Sequence, residues 1–241
     1  ARYYRVIVFS KLQADVLIKL GVPAKTLAVI PNGVDTDRWC PASPSAVSLL
    51  QKTVRQRLGN ERIFLYMGRL ATEKNVEALL RAWRLVSPKG CRLVVVGDGP
   101  LTSSLQNQFN DPQILWWGYE PDLETRVALL QCAEVFLLPS LVEGLSLALL
   151  DAMATGTACV ATDAGADGEV LAGGAGIVMS TQGVTTQLRT LLPVLRDQPV
   201  LTAELGRRAR ERALQHYTIG CNIDAIEKLY RDLLNDFRVA A

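Results

Sequence analysis

Arg69, Lys74, Glu143 and Asp151 are the side chains of this sequence whose types and spacing could perform chemistry together. Arg69 and Lys74 flank the start of a predicted helix in GRLATEK, whose first residue, Gly68, allows a tight backbone turn. Two cations that converge on a crevice would neutralise a dianion such as a pyrophosphate, Arg as a planar fork and Lys as a point charge. From this loop alone, the alternative that both cations face water stays open.

The second chemical feature is a predicted helix start in EGLSLALLDAMATG, residues 143–156. First-turn amides of a helix lack intrahelical partners, and the helix dipole makes this end partly positive, so it favours phosphate oxygens. These amides belong to Gly144, Leu145, Ser146 and Leu147. Glu143 precedes the turn and Asp151 lies about 12 Å further along the axis, so two carboxylates could bind hydroxyl groups on either side of a pyrophosphate. A nucleotide sugar has that shape; the alternative, in which Glu143 complements the dipole and Asp151 faces solvent, stays open.

Short apolar runs alternate with helical patterns from residue 62 onward, which predicts an α/β fold with a doubly wound parallel sheet, Rossmann-like in type. The six predicted strands are 63–67, 92–96, 114–117, 134–138, 158–162 and 176–179. The helices predicted between them are 75–87, 100–109, 123–132, 145–155 and 167–172. In a sheet of order 3-2-1-4-5-6 the first and fourth strands are neighbours, and ligands bind at their carboxyl ends. GRLATEK follows the first strand and PSLVEG the fourth, so this order brings both chemical features to one crevice.

Other patterns flank the predicted sheet. A strand at 6–9 and a helix capped by Ser10 form one βα unit, and the Pro-, Ser- and Ala-rich stretch WCPASPSAVS predicts a linker. Three helices are predicted at 182–195, 200–215 and 219–237. The last carries an apolar stripe, which we expect to be an association surface, formed by Ile223, Ile226, Leu229, Tyr230 and Leu233.

Composition and cysteine spacing argue against several classes of function. Apolar residues make up 49% of the 241 residues and charged residues 21%, with a net charge of +2 and no long basic block, so no nucleic-acid partner is expected. The basic segment GRRARERA predicts a solvated helix face, with a face for an anionic membrane as the alternative. Five widely spaced cysteines without a C-x-x-C pair argue against a zinc site or a disulfide framework and suit a reducing compartment.

The sequence also lacks two catalytic or cofactor patterns. GDGP at 97–100 follows the second strand of the sheet, but Thr102 stands where the dinucleotide-binding fingerprint needs Gly. The single histidine, His216, lies in the predicted helical tail, so no Ser-His-Asp or Cys-His arrangement can be assembled near the crevice loops.

Five motifs in order resemble one family, the retaining glycosyltransferases of GT-B fold in family 4, often called glycosyl transferases group 1. The motifs are VIPNGVDTDRWCP, YMGRLATEKN, VVVGDGPL, WWGYEPD and LLPSLVEGLSLALLDAMATGTACVATDAGADGEV. No single motif is decisive, but five in this order are specific. Such enzymes have two Rossmann-like domains, of which the N-terminal one mainly binds the acceptor and the C-terminal one mainly binds the nucleotide-sugar donor. The resemblance implies sugar transfer with retention at the anomeric carbon and without a required metal.

The resemblance also implies roles for individual residues. Arg69 and Lys74 would bind the donor pyrophosphate and Glu143 would contact the transferred sugar, which makes these three the catalytic candidates. The amides at 145–147 would bind phosphate. Asp151 would serve the ribose, although the family usually has Glu there and the Asp side chain is one methylene shorter. The residues expected to meet the base are Trp117, Gly118 and Tyr119.

The same resemblance implies that most of an N-terminal domain lies outside this chain, which does not begin with Met. Residues 1–30 would be the remnant of that domain, 31–61 a linker, 62–198 the donor-binding domain, and 199–241 helices that pack back toward the N-terminal domain. The expected partners are a UDP or GDP sugar, an acceptor of unknown kind, and the missing domain or a partner chain. No cofactor is expected. The expected location is the cytoplasm, with peripheral association at the inner face of a membrane as an option.

Three functions remain open from the sequence. The first is the donor-binding part of a glycosyltransferase, inactive until the missing domain is supplied. The second is a non-catalytic module that binds a nucleotide sugar or a partner. The third is another enzyme on the same architecture, such as a sugar-nucleotide epimerase or an NAD-dependent oxidoreductase, which Thr102 and the lack of an acid or base candidate disfavour.

Overall fold

The computed structural model describes residues 5–43 and 47–240, with side chains up to residue 235. Residues 1–4, 44–46 and 241, which belong to the predicted first unit, linker and tail, lie outside the described residues. The strands are β1 (Val6–Val8), β2 (Leu27–Val29), β3 (Arg62–Met67), β4 (Cys91–Val96), β5 (Ile114–Gly118), β6 (Val135–Leu138), β7 (Ala158–Thr162) and β8 (Ile177–Met179). The helices are α1 (Lys11–Lys19), α2 (Leu49–Leu58), α3 (Val76–Val86), α4 (Thr102–Gln108), α5 (Leu123–Cys132), α6 (Leu147–Thr155), α7 (Asp167–Val170), α8 (Val184–Asp197), α9 (Pro199–His216) and α10 (Ile219–Ala240).

Strands β3 to β8 form one parallel sheet in the order β5-β4-β3-β6-β7-β8. This arrangement confirms the predicted doubly wound six-stranded sheet, in which the first and fourth strands are neighbours. The strands are apolar on both faces because helices cover both faces of such a sheet, and residues 63–66 of β3 are completely buried. Phe64 of β3 packs edge-on against Trp83 of α3, with ring centroids 5.4 Å apart.

Helices cover the sheet on both faces. Successive strands move outward from β3 to β5 and then from β6 to β8 in the opposite direction, so right-handed crossovers place their helices on opposite faces. On one face α3 packs against α8; on the other, α2 packs against α5, α5 against α6, and α6 against α9. The winding reverses between β3 and β6, and the crevice of a doubly wound sheet opens at the carboxyl ends of those strands.

Helix α2 lies inside the segment 31–61 that was predicted to be a linker, and it was not predicted from the sequence. The helix begins with a capping box, in which the side chains of Ser48 and Gln51 each accept the other residue's backbone amide. Only Val54 and Leu58 are buried along it, and Lys, Arg and Gln make up most of the rest. Because two buried positions give a weak helical period, the Pro- and Ser-rich composition before the helix dominated the prediction.

Strands β1 and β2 form a separate parallel pair next to α1. β1 was predicted from the sequence and β2 was not. The start of α1 contacts the larger domain: the amides of Lys11 and Leu12 donate to the carboxylate of Glu169 at 3.2 Å each. The Gln13 side-chain amide donates to the carbonyl of Gly144 at 2.8 Å. The small unit is therefore attached to the loop that precedes α6.

The last three helices lie where they were predicted, and α10 is partly uncovered. Ile223 and Tyr230 are 56% and 64% exposed, whereas Ile226, Leu229 and Leu233 are half-buried. The predicted apolar stripe is therefore open to solvent mainly along one edge.

Candidate functional site

A cleft of about 510 Å³ opens at the carboxyl ends of β3, β4 and β5. Its walls are residues 67–69, 96–99, 119–120 and 126. Neighbouring strands are about 4.8 Å apart, so the loop after β5 is about 10 Å from the loop after β3. Among the predicted donor-site residues, Gly68, Arg69 and Tyr119 lie on these walls. The cleft can therefore accommodate an elongated ligand that crosses three strands.

Glycines at 97 and 99 bring the loops after β3 and β4 together. A Cβ atom on Gly97, which has a φ of +131°, would lie 1.9 Å from the carbonyl oxygen of Gly68. A Cβ atom on Gly99 would lie 2.4 Å from the carbonyl oxygen of Leu70. These glycines therefore allow close contact between the two loops.

Thr102, which occupies the position where that fingerprint needs Gly, stabilises the same turn. Its hydroxyl donates to the Asp98 carboxylate at 2.5 Å and accepts the Gly99 amide at 2.9 Å. The Thr102 hydroxyl and then the Gly99 amide lower the pKa of Asp98, so this acid is ionised at the cleft wall.

Arg69 presents an exposed guanidinium at the cleft wall. Its carbonyl accepts the hydroxyl of Tyr66 at 2.8 Å, which fixes the backbone. Burial, with the nearby charges of Glu143 and Glu73, raises the pKa of Tyr66, so its hydroxyl stays a donor. Within the described residues the Arg69 guanidinium forms no ion pair or hydrogen bond, so it is available to an anion.

Lys74 and Glu143, from the two loops predicted to meet, are in direct contact. Lys74 Nζ lies 2.6 Å from Glu143 Oε1, and the Ser140 hydroxyl donates to the same oxygen at 2.7 Å. The Glu143 side chain is 8% exposed and that of Lys74 is 23% exposed. Glu143 Oε2 has no hydrogen-bond partner in the described part of the chain. The crevice therefore contains a partly shielded ammonium and a carboxylate with one oxygen still available as an acceptor.

Helix α6 begins two residues later than predicted, at Leu147, with Ser146 as its N-cap. The Ser146 amide donates to Asp167 Oδ1 at 2.9 Å. A carboxylate therefore already accepts this amide, and the phosphate contact predicted for Ser146 stays a prediction that would require this hydrogen bond to be exchanged. The amides of Leu145 and Leu147 have no acceptor in residues 5–43 and 47–240, and they can still receive an anion.

Asp167 is a buried residue that the sequence analysis did not single out. It is 0% exposed, and its Oδ2 atom has no hydrogen-bond partner within the described residues. Burial raises the pKa of Asp167 to about 7; the Ser146 amide opposes the rise, and the Glu143 charge adds to it. The polar run DAGADGE after β7 was its only signal in the sequence.

Asp151 is half-buried, which contradicts the alternative of a solvent-facing side chain. Burial raises the pKa of Asp151 to about 7, and the positive charge of Arg126 on α5 opposes that rise. Arg126 lines the cleft, and its buried Nε atom has no hydrogen-bond partner among the described residues. The sequence analysis missed Arg126, because one Arg in a helical pattern carries no signal of its own.

The loop predicted to meet a base follows β5. Gly118 has a φ of +89° and turns the chain, and the next residue, Tyr119, is 73% exposed at the cleft. One face of the Trp117 ring is covered by the guanidinium of Arg57, which lies 3.6 Å from the ring centroid. Of the three predicted residues, Tyr119 alone lies on the cleft wall.

The raised pKa values of Asp151 and Asp167 predict that stability falls with rising pH. Each folded-state pKa, about 7, lies above the ordinary value of 3.8, so the folded state holds extra protons between these limits. Stability from each group is complete below about pH 4 and is lost as the pH rises through 7. We expect Asp167→Asn to flatten the fall in the free energy of unfolding, measured by urea titration from pH 4.5 to 8, by up to about 1.4 kcal/mol per pH unit.

The control for this titration is Asp15→Asn, which alters an exposed carboxyl on α1. It should leave the pH slope of the wild type unchanged. Equal slopes for Asp167→Asn and the wild type would contradict the assignment of a buried proton to Asp167.

The described residues contain neither a cluster of metal ligands nor a membrane-spanning helix. No group of three or more His, Cys, Asp or Glu side chains there could hold a metal ion. No helix in that part of the chain is long and apolar enough to cross a bilayer.

Comparisons with known proteins give concordant matches. The family model described as Glycosyl transferases group 1 matches residues 61–197. The Escherichia coli UDP-Gal:alpha-D-GlcNAc-diphosphoundecaprenol alpha-1,3-galactosyltransferase is 26% identical, over 95% of this chain and 60% of its own. A GDP-mannose-dependent phosphatidylinositol monomannoside mannosyltransferase of Mycobacterium tuberculosis is 30% identical, over 77% of this chain and 51% of its own.

Among solved structures, Anabaena HepE in complex with UDP-glucose superposes with a TM-score of 0.80. It is 21% identical, with 95% of this chain and 64% of that protein covered. This likeness shows a shared fold. The chain thus spans about half to two thirds of the proteins that it resembles.

Proposed function

Because the chain belongs to the glycosyl transferases group 1 family, we propose that it is the donor-binding part of a glycosyltransferase that moves a hexose from a nucleotide sugar to an acceptor with retention of anomeric configuration. The observation that carries this proposal is the Lys74–Glu143 contact, 2.6 Å long, at the point where the winding of the sheet reverses. A cation and a carboxylate held together there suit a ligand with an anionic group next to sugar hydroxyls.

The diphosphate of the donor is proposed to bind between Arg69, Lys74 and the start of α6. Arg69 has an unpaired guanidinium at the cleft wall and Lys74 a partly shielded ammonium. The amides of Leu145 and Leu147 add backbone donors at the positive end of the helix dipole. This combination of a fork, a point charge and helix amides is well matched to two linked phosphates.

The remaining donor groups are assigned by position relative to the diphosphate. Glu143 Oε2 has no partner within the described residues and would accept a hydrogen bond from the transferred sugar. Asp151 and Arg126 would contact the ribose side of the ligand, and a water could bridge the shorter Asp side chain to a hydroxyl. Tyr119, which lies on the cleft wall, and Gly118, which precedes it, would meet the base at the far end of the cleft.

In the proposed reaction the bond between the anomeric carbon and the diphosphate oxygen breaks, and the acceptor oxygen bonds to the same face of that carbon. The proton of the acceptor hydroxyl passes to the leaving diphosphate, so no side-chain base is needed. Arg69, Lys74 and the free amides of Leu145 and Leu147 stabilise the charge that grows on the leaving group. The rate would come mainly from this stabilisation and from positioning of the two substrates.

The acceptor side of the enzyme is proposed to lie outside this chain. The small unit of β1, α1 and β2 would be the end of an N-terminal acceptor domain, and the open edge of α10 would contact that domain. Transfer would then require that domain, in the same polypeptide or as a partner chain. We place the enzyme in the cytoplasm, acting without a metal, with an anionic membrane surface as a further contact.

Calorimetric titration of the chain with UDP-glucose, GDP-mannose and ADP-glucose tests the proposal, with NAD as the control ligand. We expect at least one nucleotide sugar to bind more tightly than about 1 mM, and NAD to show no heat of binding. Absence of binding by all three nucleotide sugars would refute the assignment. Preferential binding of NAD would support an oxidoreductase instead.

A further inference from the structure

A chain of contacts at the base end of the cleft joins three side chains: Arg57 of α2, Trp117 of β5 and Glu120 of the following loop. Arg57 Cζ lies 3.6 Å from the centroid of the Trp117 ring, and Arg57 Nη2 donates to the Trp117 carbonyl at 3.3 Å. The indole N–H of Trp117 donates to Glu120 Oε2 at 2.9 Å. Each contact joins residues that are separate in the chain or on opposite sides of the turn.

Glu120 uses both carboxylate oxygens in hydrogen bonds. While Oε2 accepts the indole of Trp117, Oε1 accepts the backbone amide of Asp122 at 3.0 Å. Asp122 in turn caps α5, since its Oδ2 accepts the amide of Thr125 at 2.8 Å. The segment between Trp117 and Asp122 is thereby tied to β5 at one end and to α5 at the other.

Two residues between these anchors, Tyr119 and Glu120, lie on the cleft wall. Tyr119 is 73% exposed and lines the cleft together with Glu120. Gly118, with a φ of +89°, turns the chain directly before Tyr119. Its carbonyl accepts a hydrogen bond from the amide of Gly97 at 2.8 Å. An exposed loop of this kind would sample several conformations without the contacts of Trp117 and Glu120, and ordering it on binding would cost affinity.

We propose that Arg57 and Trp117, which do not line the cleft, position the 118–120 backbone for the nucleoside of the donor through their contacts with each other and with Glu120, which lies on the cleft wall. Arg57 covers one face of the Trp117 ring, and the indole N–H donates to Glu120. The two carboxylate oxygens of Glu120 accept the indole N–H and the Asp122 amide. The inference rests on the proposed function, because it assumes that a nucleoside occupies the β5 end of the cleft. It makes a residue of α2 a determinant of nucleotide affinity.

The position of these residues separates their effect from that of the diphosphate site. The loop after β5 lies about 10 Å from the loop after β3, where Arg69 would contact the phosphates. Loss of the Arg57 contact should therefore weaken ligands that contain a nucleoside and spare ligands that consist of phosphate alone. A general loss of stability would weaken both classes equally.

Titration of Arg57→Ala with UDP, GDP, ADP and inorganic pyrophosphate tests the proposal. We expect the Kd of the nucleoside diphosphate that the wild type prefers to rise about tenfold, and that of pyrophosphate to change less than about twofold. Lys52→Ala, which removes an exposed cation from the same helix, is the matched control and should behave like the wild type. Thermal unfolding of each variant verifies that the protein is folded.

A second pair of variants tests the hydrogen bond within the set. Trp117→Phe removes the indole donor, and Glu120→Gln leaves one acceptor oxygen for two donors, so each should raise the same Kd. Because both remove one bond, we expect the double variant to bind about as weakly as the weaker single variant. Unchanged nucleotide affinity in Arg57→Ala, or an equal loss for pyrophosphate, would overturn the inference. Failure of the wild type to bind any nucleoside diphosphate would overturn the proposed function as well.

Discussion

Lys74→Ala is expected to raise the Kd for the bound nucleotide sugar by about a hundredfold or more. Loss of a charge-assisted hydrogen bond costs about 1.5–3 kcal/mol, and each 1.4 kcal/mol corresponds to about tenfold in Kd. The substitution also leaves Glu143, 8% exposed and 2.6 Å from Lys74 Nζ in the wild type, as an uncompensated carboxylate where the diphosphate must enter. The variant thus loses the attraction between Lys74 and the diphosphate and gains repulsion between Glu143 and the diphosphate. Calorimetric titration measures the effect, and Lys89→Ala, at an exposed position beyond the far end of α3, is the control.

The double variant Lys74→Ala/Glu143→Gln separates stability from binding. Breaking a buried ion pair by removing one partner costs roughly 3–5 kcal/mol, so Lys74→Ala alone should unfold at lower urea concentration. The glutamine introduced by Glu143→Gln carries no charge and can still accept the Ser140 hydroxyl, so the double variant should regain most of that stability. It should regain only the part of the nucleotide affinity that repulsion by Glu143 had removed, because the cation is still missing. Wild-type affinity in Lys74→Ala would show that the diphosphate does not bind at this pair.

Gly97→Ala is expected to have the largest effect on the fold of the cleft. An added Cβ atom would lie 1.9 Å from the Gly68 carbonyl oxygen and 2.9 Å from its carbonyl carbon, so the loops after β3 and β4 must separate. A backbone conformation with a φ of +131° adds strain that only Gly avoids. We expect a loss of at least about 3 kcal/mol in the free energy of unfolding, measured by urea titration.

Gly90→Ala is the matched control for that substitution. Gly90 also has a positive φ, +74°, but an added Cβ atom would meet nothing within 4 Å. Its cost should therefore be the conformational strain alone, about 1–2 kcal/mol. If Gly97→Ala fails to accumulate as folded protein while Gly90→Ala does, the steric argument is supported. Equal urea midpoints for the two variants would contradict it.

The loops that form the candidate site could be located from the sequence because they follow from topology. Alternating apolar runs and helical periods predict parallel strands, and the strand order of a doubly wound sheet places the first and fourth loops side by side. The observed Lys74–Glu143 contact joins those two loops across 69 residues of sequence. Pairing at the crevice was therefore predictable, while the identity of the partners was not.

The contacts that hold these loops in place could not be predicted, because they join side chains with no common period. Helix α2 has two buried residues, and its Arg57 stacks on Trp117 sixty positions later. Asp167 reaches the Ser146 amide across 21 positions and takes an amide expected to bind phosphate. Neither contact leaves a trace in local sequence.

The sequence alone determined the order of the elements, the sheet and the two loops at the point where the winding reverses, because hydrophobic period and turn residues are local properties. Tertiary structure alone decided which atoms remain available for chemistry. In the folded chain Lys74 forms an ion pair with Glu143, and the Ser146 amide donates to Asp167. Arg57 lies over one face of the Trp117 ring, Asp167 is buried, and Asp151 is half-buried. The physical reason is that hydrogen bonds, ion pairs and desolvation depend on distances of a few ångströms between residues far apart in the chain, and periodicity carries no information about them.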